Sequence, residues 1–158
     1  SSQIFFKMLD YKNLIPCCTG MIQREVAQRI ASQPGTKAYG ILSVMIQAWY
    51  DVEYLFTVDE NVFNPPPKVK SAVIRMTRNS VDDLGCNEQL FRTIVKTVFN
   101  QRRKMLRVSL RQLIPADAAP EGFFDHELMT MRPEELTIPQ FVELTNLVES
   151  IGLSSCHP

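Results

Sequence analysis

Strand periodicity occurs in this chain only ahead of residue 80, and that one-sidedness limits the architectures open to it. Val52, Tyr54, Phe56 and Val58 alternate with Glu53, Leu55 and Thr57, and Ala72, Ile74 and Met76 alternate with Ser71, Val73, Arg75 and Thr77. A two-residue period is that of a strand with one face turned inward. A third apolar run, Leu14 to Ile22, shows no helical period and contains Gly20, which predicts a strand covered on both faces, as in a parallel sheet. Residues 79–88 then carry turn chemistry (Asn79, Ser80, Asp82, Asp83, Gly85, Asn87). Beyond them the apolar spacing becomes three and four. Leu90, Phe91, Ile94, Val95, Val98 and Phe99 form one stripe; Met105, Leu106, Leu110 and Leu113 form a second. Phe141, Leu144, Thr145, Val148 and Ile151 form a third, behind Thr137 as a cap and Pro139 in the first turn. The pattern predicts an α/β piece over residues 1–80 followed by an all-α piece over residues 86–158.

Helices are also expected inside the first piece. Ile4, Phe5, Met8 and Leu9 share a helical face that Ser1 or Ser2 could cap, Arg24 to Ser32 reads as a helix ended by Pro34-Gly35, and a broad stripe (Tyr39, Leu42, Ser43, Ile46, Trp49) predicts a buried helix over Lys37 to Asp51. With 158 residues, 45% of them hydrophobic, the chain suits one core of ordinary density better than two independent domains. Three strands are few for a doubly wound sheet, and no G-x-G phosphate loop occurs. Either the α/β domain is an unusually small one or its first half is missing.

Several classes of chemistry lack raw material. Cys17, Cys18, Cys86 and Cys156 have no C-x-x-C spacing, which argues against zinc and against a disulfide framework and fits a reducing cytoplasm. The histidines are His126 and His157, too few for a His-based hydrolase or metal centre, so no metal is expected. No apolar run approaches membrane-spanning length, and no secretory leader is legible.

Charge is polarised although its sum is zero. Arg92, Lys96, Arg102, Arg103, Lys104, Arg107 and Arg111 follow one another without an acid between them, and from Leu113 onward eight acids face the single Arg132. Such a block is the footprint of a phosphate-backbone binder; its plainer reading is a solvated face over which the acidic tail folds. Arg102, Arg103, Lys104 and Arg107 sit at the expected start of a helix, where free N–H groups and the positive dipole end would favour an anion. Gln23, Glu25 and Arg29 read as structural, with Glu25 and Arg29 spaced to pair along a helix. Cys17 and Cys18 read as inert thiols in a buried strand.

Three local patterns carry a resemblance. They are Met21-Ile22-Gln23-Arg24-Glu25-Val26-Ala27-Gln28-Arg29, Tyr39-Gly40-Ile41-Leu42-Ser43-Val44, and Val62-Phe63-Asn64-Pro65-Pro66-Pro67-Lys68-Val69-Lys70-Ser71-Ala72-Val73. In that order they resemble the second half of the catalytic domain of the ribosomal RNA adenine dimethyltransferases. Phe99-Asn100-Gln101-Arg102-Arg103-Lys104-Met105-Leu106-Arg107 is similar to that family's entry into its C-terminal helical domain, and Arg132-Pro133-Glu134-Glu135-Leu136 through Phe141 and Asn146 to its final helix. The resemblance implies the C-terminal part of a Rossmann-like class I methyltransferase sheet plus a small helical RNA-docking domain. It implies dimethylation of the 6-amino group of two adjacent adenosines near the 3′ end of small-subunit rRNA, with S-adenosylmethionine as donor and an immature small ribosomal subunit in the cytoplasm as partner. The glycine-rich donor loop, the ribose-binding acid and the N-[IL]-P-Y loop of the family match no position here, so this chain is expected to bind no S-adenosylmethionine and to be inactive alone.

The resemblance gives the candidate residues their roles. Phe63, ahead of three prolines, is the expected platform for the extruded adenine; otherwise it plugs the end of a strand pair. Lys68 is the candidate contact to that nucleotide's phosphate, and Arg102, Arg103, Lys104 and Arg107 are the candidate RNA-backbone contacts. A sheet without its neighbouring strands would expose an edge and invite pairing between copies. Two alternatives remain at this level: a large-subunit rRNA adenine methylase of the antibiotic-resistance type, and a non-catalytic RNA-binding adaptor.

Overall fold

A computed structural model of the chain describes residues 2–115 and 117–151. The capping expected of Ser1 or Ser2, and the positions of Cys156 and His157, lie outside what it describes. The chain divides into two compact units, residues 1–33 with 42–82, and residues 34–41 with 83–158.

The first unit contains α1 (Ser2–Asp10), β1 (Cys17–Gln23), α2 (Arg24–Ala31), β2 (Tyr50–Val58) and β3 (Ser71–Arg78), together with most of α3 (Ile41–Gln47). The three strands are ordered β1-β3-β2, and both pairings are antiparallel. The expectation of a parallel-sheet strand covered on both faces is therefore corrected: β1 alternates between exposed and half-buried residues, with Cys17, Thr19, Met21 and Gln23 on the open side. Cys, Thr, Gly and Met are too ambiguous in hydropathy to display that alternation in sequence. Cys17 is accordingly an exposed thiol, whereas burial, with a smaller contribution from Cys17, raises the pKa of Cys18.

On the covered face α2 supplies Ala27 and Ile30, and β3 supplies Ala72, Ile74 and Met76, all buried. Trp49, Met45, Ile46, Phe5, Met8 and Leu9 are buried as well. Ile4, expected on the inward stripe, is 71% exposed. Phe56 also departs from the expected inward set. A bulge at Leu55 lets Tyr54 pair with Ile74 while Phe56 pairs with Val73. One extra residue moves the side chains beyond it to the opposite face, which leaves Phe56 54% exposed.

The expected helix over Lys37 to Asp51 contracts to the seven residues of α3. Pro34 and Gly35 (φ +90°) turn the chain before it, Gly40 weakens helical continuation, and Tyr50 already pairs with Arg78 in the sheet. Residues 34–41, which the sequence pattern groups with the first piece, belong to the second unit: Tyr39 is fully buried and its hydroxyl donates to the carbonyl of Leu136 at 2.8 Å. Burial pushes the Tyr39 phenol up to about 12.

The second unit holds α4 (Glu88–Asn100), α5 (Leu106–Ser109), α6 (Ile138–Ser150) and several single 3-10 turns. Asn87 caps α4 by accepting from Leu90 N–H at 2.9 Å, and Thr137 with Gln140 forms a reciprocal capping box on α6. The helical stripes become its core: Phe91, Ile94, Val95 and Val98 of α4, Leu106, Leu110 and Ile114, and Phe141, Leu144 and Val148 of α6 are all fully buried. Phe141 is central, with ring centroids 6.5 Å from Phe91 and 5.9 Å from Phe99. The stripe from Met105 to Leu113 yields only the four residues of α5 and a 3-10 turn at Leu110–Gln112.

Candidate functional site

Phe63 ends the single 3-10 turn Glu60–Val62, whose start is fixed by the Asp59 carboxylate accepting from Asn61 N–H at 2.8 Å. Its own N–H returns to the Glu60 carbonyl at 3.4 Å. Three consecutive prolines then restrict the backbone, because each locks its φ; the Asn64–Pro65 peptide is cis. The ring is half-buried rather than sealed in the interior, and residues 64–70 are exposed throughout. Val62 (72%) and Val69 (50%) leave apolar surface on both sides of the prolines. Lys68 is exposed and has no ion-pair partner among the described residues.

The four cations singled out after α4 separate into two roles. Arg102 is engaged within its own unit: Nη2 donates to the carbonyls of Thr36 (3.3 Å) and Lys37 (2.7 Å), Nε to Glu134 Oε2 (3.4 Å), and the guanidinium stands 5.9 Å from the Phe99 ring centroid. A residue with its donors so committed ties residues 34–41 to the helices. Arg103, Lys104 and Arg107 are exposed and form no ion pair with any described residue. Of these four cations only Arg102 meets a carboxylate of the acidic C-terminal stretch among the described residues.

The helix-start anion site expected at this cluster is also corrected. α5 has four residues, and its first amide, Leu106 N–H, donates to the Met131 carbonyl at 2.9 Å. The cations instead follow the C-terminal end of the 13-residue α4, where exposed carbonyls and the negative dipole end favour positive charge. That placement explains how Arg103, Lys104 and Arg107 are tolerated without an ion-pair partner among the described residues. Arg111 is held apart from it, with its guanidinium 4.5 Å from the Phe124 ring and Nε donating to the Arg107 carbonyl at 3.1 Å.

Glu25 and Arg29 form the expected helix pair at 2.7 Å. Burial pushes the Cys86 thiol up to about 11, with the Glu149, Asp83 and Glu88 carboxylates adding to the effect of burial against a hydrogen bond with Thr145. A thiol in that state is a poor nucleophile at neutral pH. Among the described residues no three His, Cys, Asp or Glu side chains gather as a metal site, and no helix is long and apolar enough to cross a membrane. Two exposed cations outside every motif role, Arg24 and Lys70, are brought side by side by a backbone hydrogen bond from Arg24 N–H to the Lys70 carbonyl at 2.9 Å. Their separation in sequence gave no signal; only the register between β1 and β3 brings them together.

An antiparallel three-stranded sheet followed in the chain by a small helical unit is a fold with solved counterparts. A dimethyladenosine transferase from Plasmodium falciparum superposes with a TM-score of 0.83 over 96% of this chain and 64% of that one, at 21% identity. The 23S rRNA methyltransferase ErmE superposes with a TM-score of 0.59 over 92% and 60%, at 23% identity. A sequence profile described as ribosomal RNA adenine dimethylase matches residues 1–149, and the chain belongs to that family. It is 66% identical over 154 residues to a ribosomal RNA small subunit methyltransferase A from Phocaeicola vulgatus, covering 95% of this chain and 52% of the relative. It is 65% identical to the protein of the same description from Bacteroides fragilis, covering 94% and 54%. The chain therefore spans about half the length of these curated relatives.

Proposed function

We propose that this chain is the RNA-gripping part of an S-adenosylmethionine-dependent enzyme that dimethylates the 6-amino groups of two adjacent adenosines near the 3′ end of small-subunit rRNA during ribosome assembly in the cytoplasm. The observation that carries the reading is the Phe63 loop: an accessible ring on a proline-stiffened turn, in a chain whose family profile runs over residues 1–149. The antiparallel β1-β3-β2 sheet is read as the C-terminal part of a Rossmann-like class I methyltransferase sheet, and the two units as the end of the catalytic domain and an RNA-docking domain.

Adenine's exocyclic amine is a weak nucleophile because its lone pair is delocalised into the ring, so positioning dominates the catalytic demand. Extruding the base costs a few kcal/mol, and stacking on an aromatic side chain returns about 1–3 kcal/mol. Phe63 supplies that platform and Lys68 a phosphate contact, while Arg103, Lys104 and Arg107 hold the RNA backbone. Arg102 has a positioning role in place of the contact expected from sequence. S-adenosylmethionine supplies the methyl group; with no G-x-G loop in the sequence, no residue here is assigned to hold it.

The test is a chimera that joins the upstream half of the Phocaeicola vulgatus relative to this chain, assayed on purified ribosomal subunits. Dimethyladenosine is expected in small-subunit rRNA. Phe63→Ala is expected to lower kcat/KM about 5- to 150-fold, the rate equivalent of the stacking energy, and Arg103→Glu with Lys104→Glu to raise KM. Methylation confined to the large subunit would favour the antibiotic-resistance type of enzyme, and RNA binding without methylation the adaptor; either rejects the proposal.

The same reading predicts self-association of this chain. Among the described residues the outer edge of β1 pairs with no strand, and Cys17–Gln23 carries no charge or proline to discourage pairing. Sedimentation velocity is expected to show a concentration-dependent dimer that Thr19→Lys weakens; a monomer at every concentration would contradict it.

A further inference from the structure

We propose that Arg24, Lys68 and Lys70 form a phosphate-binding track at the root of the Phe63 loop, which holds the backbone of the single-stranded RNA whose base stacks on Phe63; this rests on the stacking role given to Phe63 above. The track is assembled by the sheet. Gln23, the last residue of β1, pairs with Ser71, the first of β3. The next hydrogen bond outward joins Arg24 N–H to the Lys70 carbonyl at 2.9 Å. The first residue of α2 and the last residues of the Phe63 loop are thereby fixed at one end of the sheet, with Lys68 two positions further into the loop.

All three side chains are exposed, and none makes an ion pair with a described residue. Of the carboxylates nearest in sequence, two are held by other groups and the third has one oxygen shut away from solvent. Glu25 is bound to Arg29 at 2.7 Å, Asp59 accepts from Asn61 N–H at 2.8 Å, and Glu60 has its Oε2 closed off from solvent. Gathered like charges without counterions repel one another, and a polyanion offsets that repulsion while releasing its own condensed counterions. The exposed Val62 and Val69 between and beside the cations favour a ligand that alternates charge with apolar rings and sugars over a purely ionic one. A single RNA strand has that alternation.

The experiment measures binding of a short fluorescent single-stranded RNA with two adjacent adenosines to the 158-residue chain by anisotropy, across a salt series. Each phosphate contact to a single strand contributes about 0.7 to the slope of log K against log salt. Arg24→Gln with Lys70→Gln is expected to flatten that slope by about 1.4, so that the wild type loses roughly sevenfold more affinity than the variant for a fourfold rise in salt. Phe63→Ala is expected to weaken binding with the slope unchanged. Both variants alter accessible side chains, and a far-UV melting curve matching the wild type confirms that they fold. An unchanged slope in the double variant, with Phe63→Ala still weakening binding, overturns the track and leaves the stacking role standing. A flattened slope with Phe63→Ala silent overturns the stacking role, and with it the track as stated.

Discussion

Phe141→Ala is expected to remove about 3–5 kcal/mol from the stability of the helical unit, the range for emptying a well-packed aromatic site. The ring is fully buried, lies edge-on to Phe91 at 6.5 Å and tilted against Phe99 at 5.9 Å, and Phe99 in turn meets Tyr39 at 6.1 Å. Neighbouring groups have little room to collapse into the vacated volume because α4 and α6 are each fixed by a side-chain cap. Phe141→Leu keeps most of the volume and should cost less than about 1.5 kcal/mol. Urea unfolding of both variants checks the claim; losses that are equal, or below about 1.5 kcal/mol for alanine, would show that the ring is not the keystone described.

Arg102→Ala is expected to cost about 2–3 kcal/mol and to leave the salt dependence of RNA binding unchanged. Charged hydrogen bonds contribute about 1.5–3 kcal/mol when buried; at one-third exposure (33%, with Glu134 at 29%) solvent screening reduces each of them. What remains is the geometry of one planar group serving two carbonyls and a carboxylate, which a lysine cannot reproduce, so Arg102→Lys should recover only part of the loss. Opposite behaviour, unchanged stability and a shallower salt slope, would return Arg102 to the RNA surface. The neighbouring Arg103→Glu should behave that opposite way.

Much of this fold was legible in the residues because local patterns and tertiary demands agree. The alternation in β3 and in β2 as far as Tyr54, the stripes of α4 and α6, the Thr137 cap and the Glu25–Arg29 pair are properties of a few consecutive turns or strand residues, and the structure contains each of them. Several of the overturned expectations depend on something beyond the local pattern. Phe56 faces outward because a bulge shifts its register against β3. Residues 34–41 leave the helical pattern because the Leu136 carbonyl accepts from the Tyr39 hydroxyl, the Glu134 carbonyl from Gly35 N–H, and Arg102 donates to the Thr36 and Lys37 carbonyls. The cation cluster does not open a helix because α5 stops after one turn and the acceptor for its first amide is Met131.

The amino-acid order by itself carried the division between strand and helix, which follows from short-range spacing, and the motifs whose resemblance to a known family pointed to the family and to Phe63 as the candidate platform. Only the tertiary structure decided which cations stay available to a ligand. Arg102 and Arg103 are adjacent and chemically identical, yet one guanidinium meets two carbonyls and a carboxylate from remote segments and the other residue is exposed without an ion pair to any described residue. A side chain's availability is set by what the rest of the chain brings to it, and that is a long-range property no local pattern encodes.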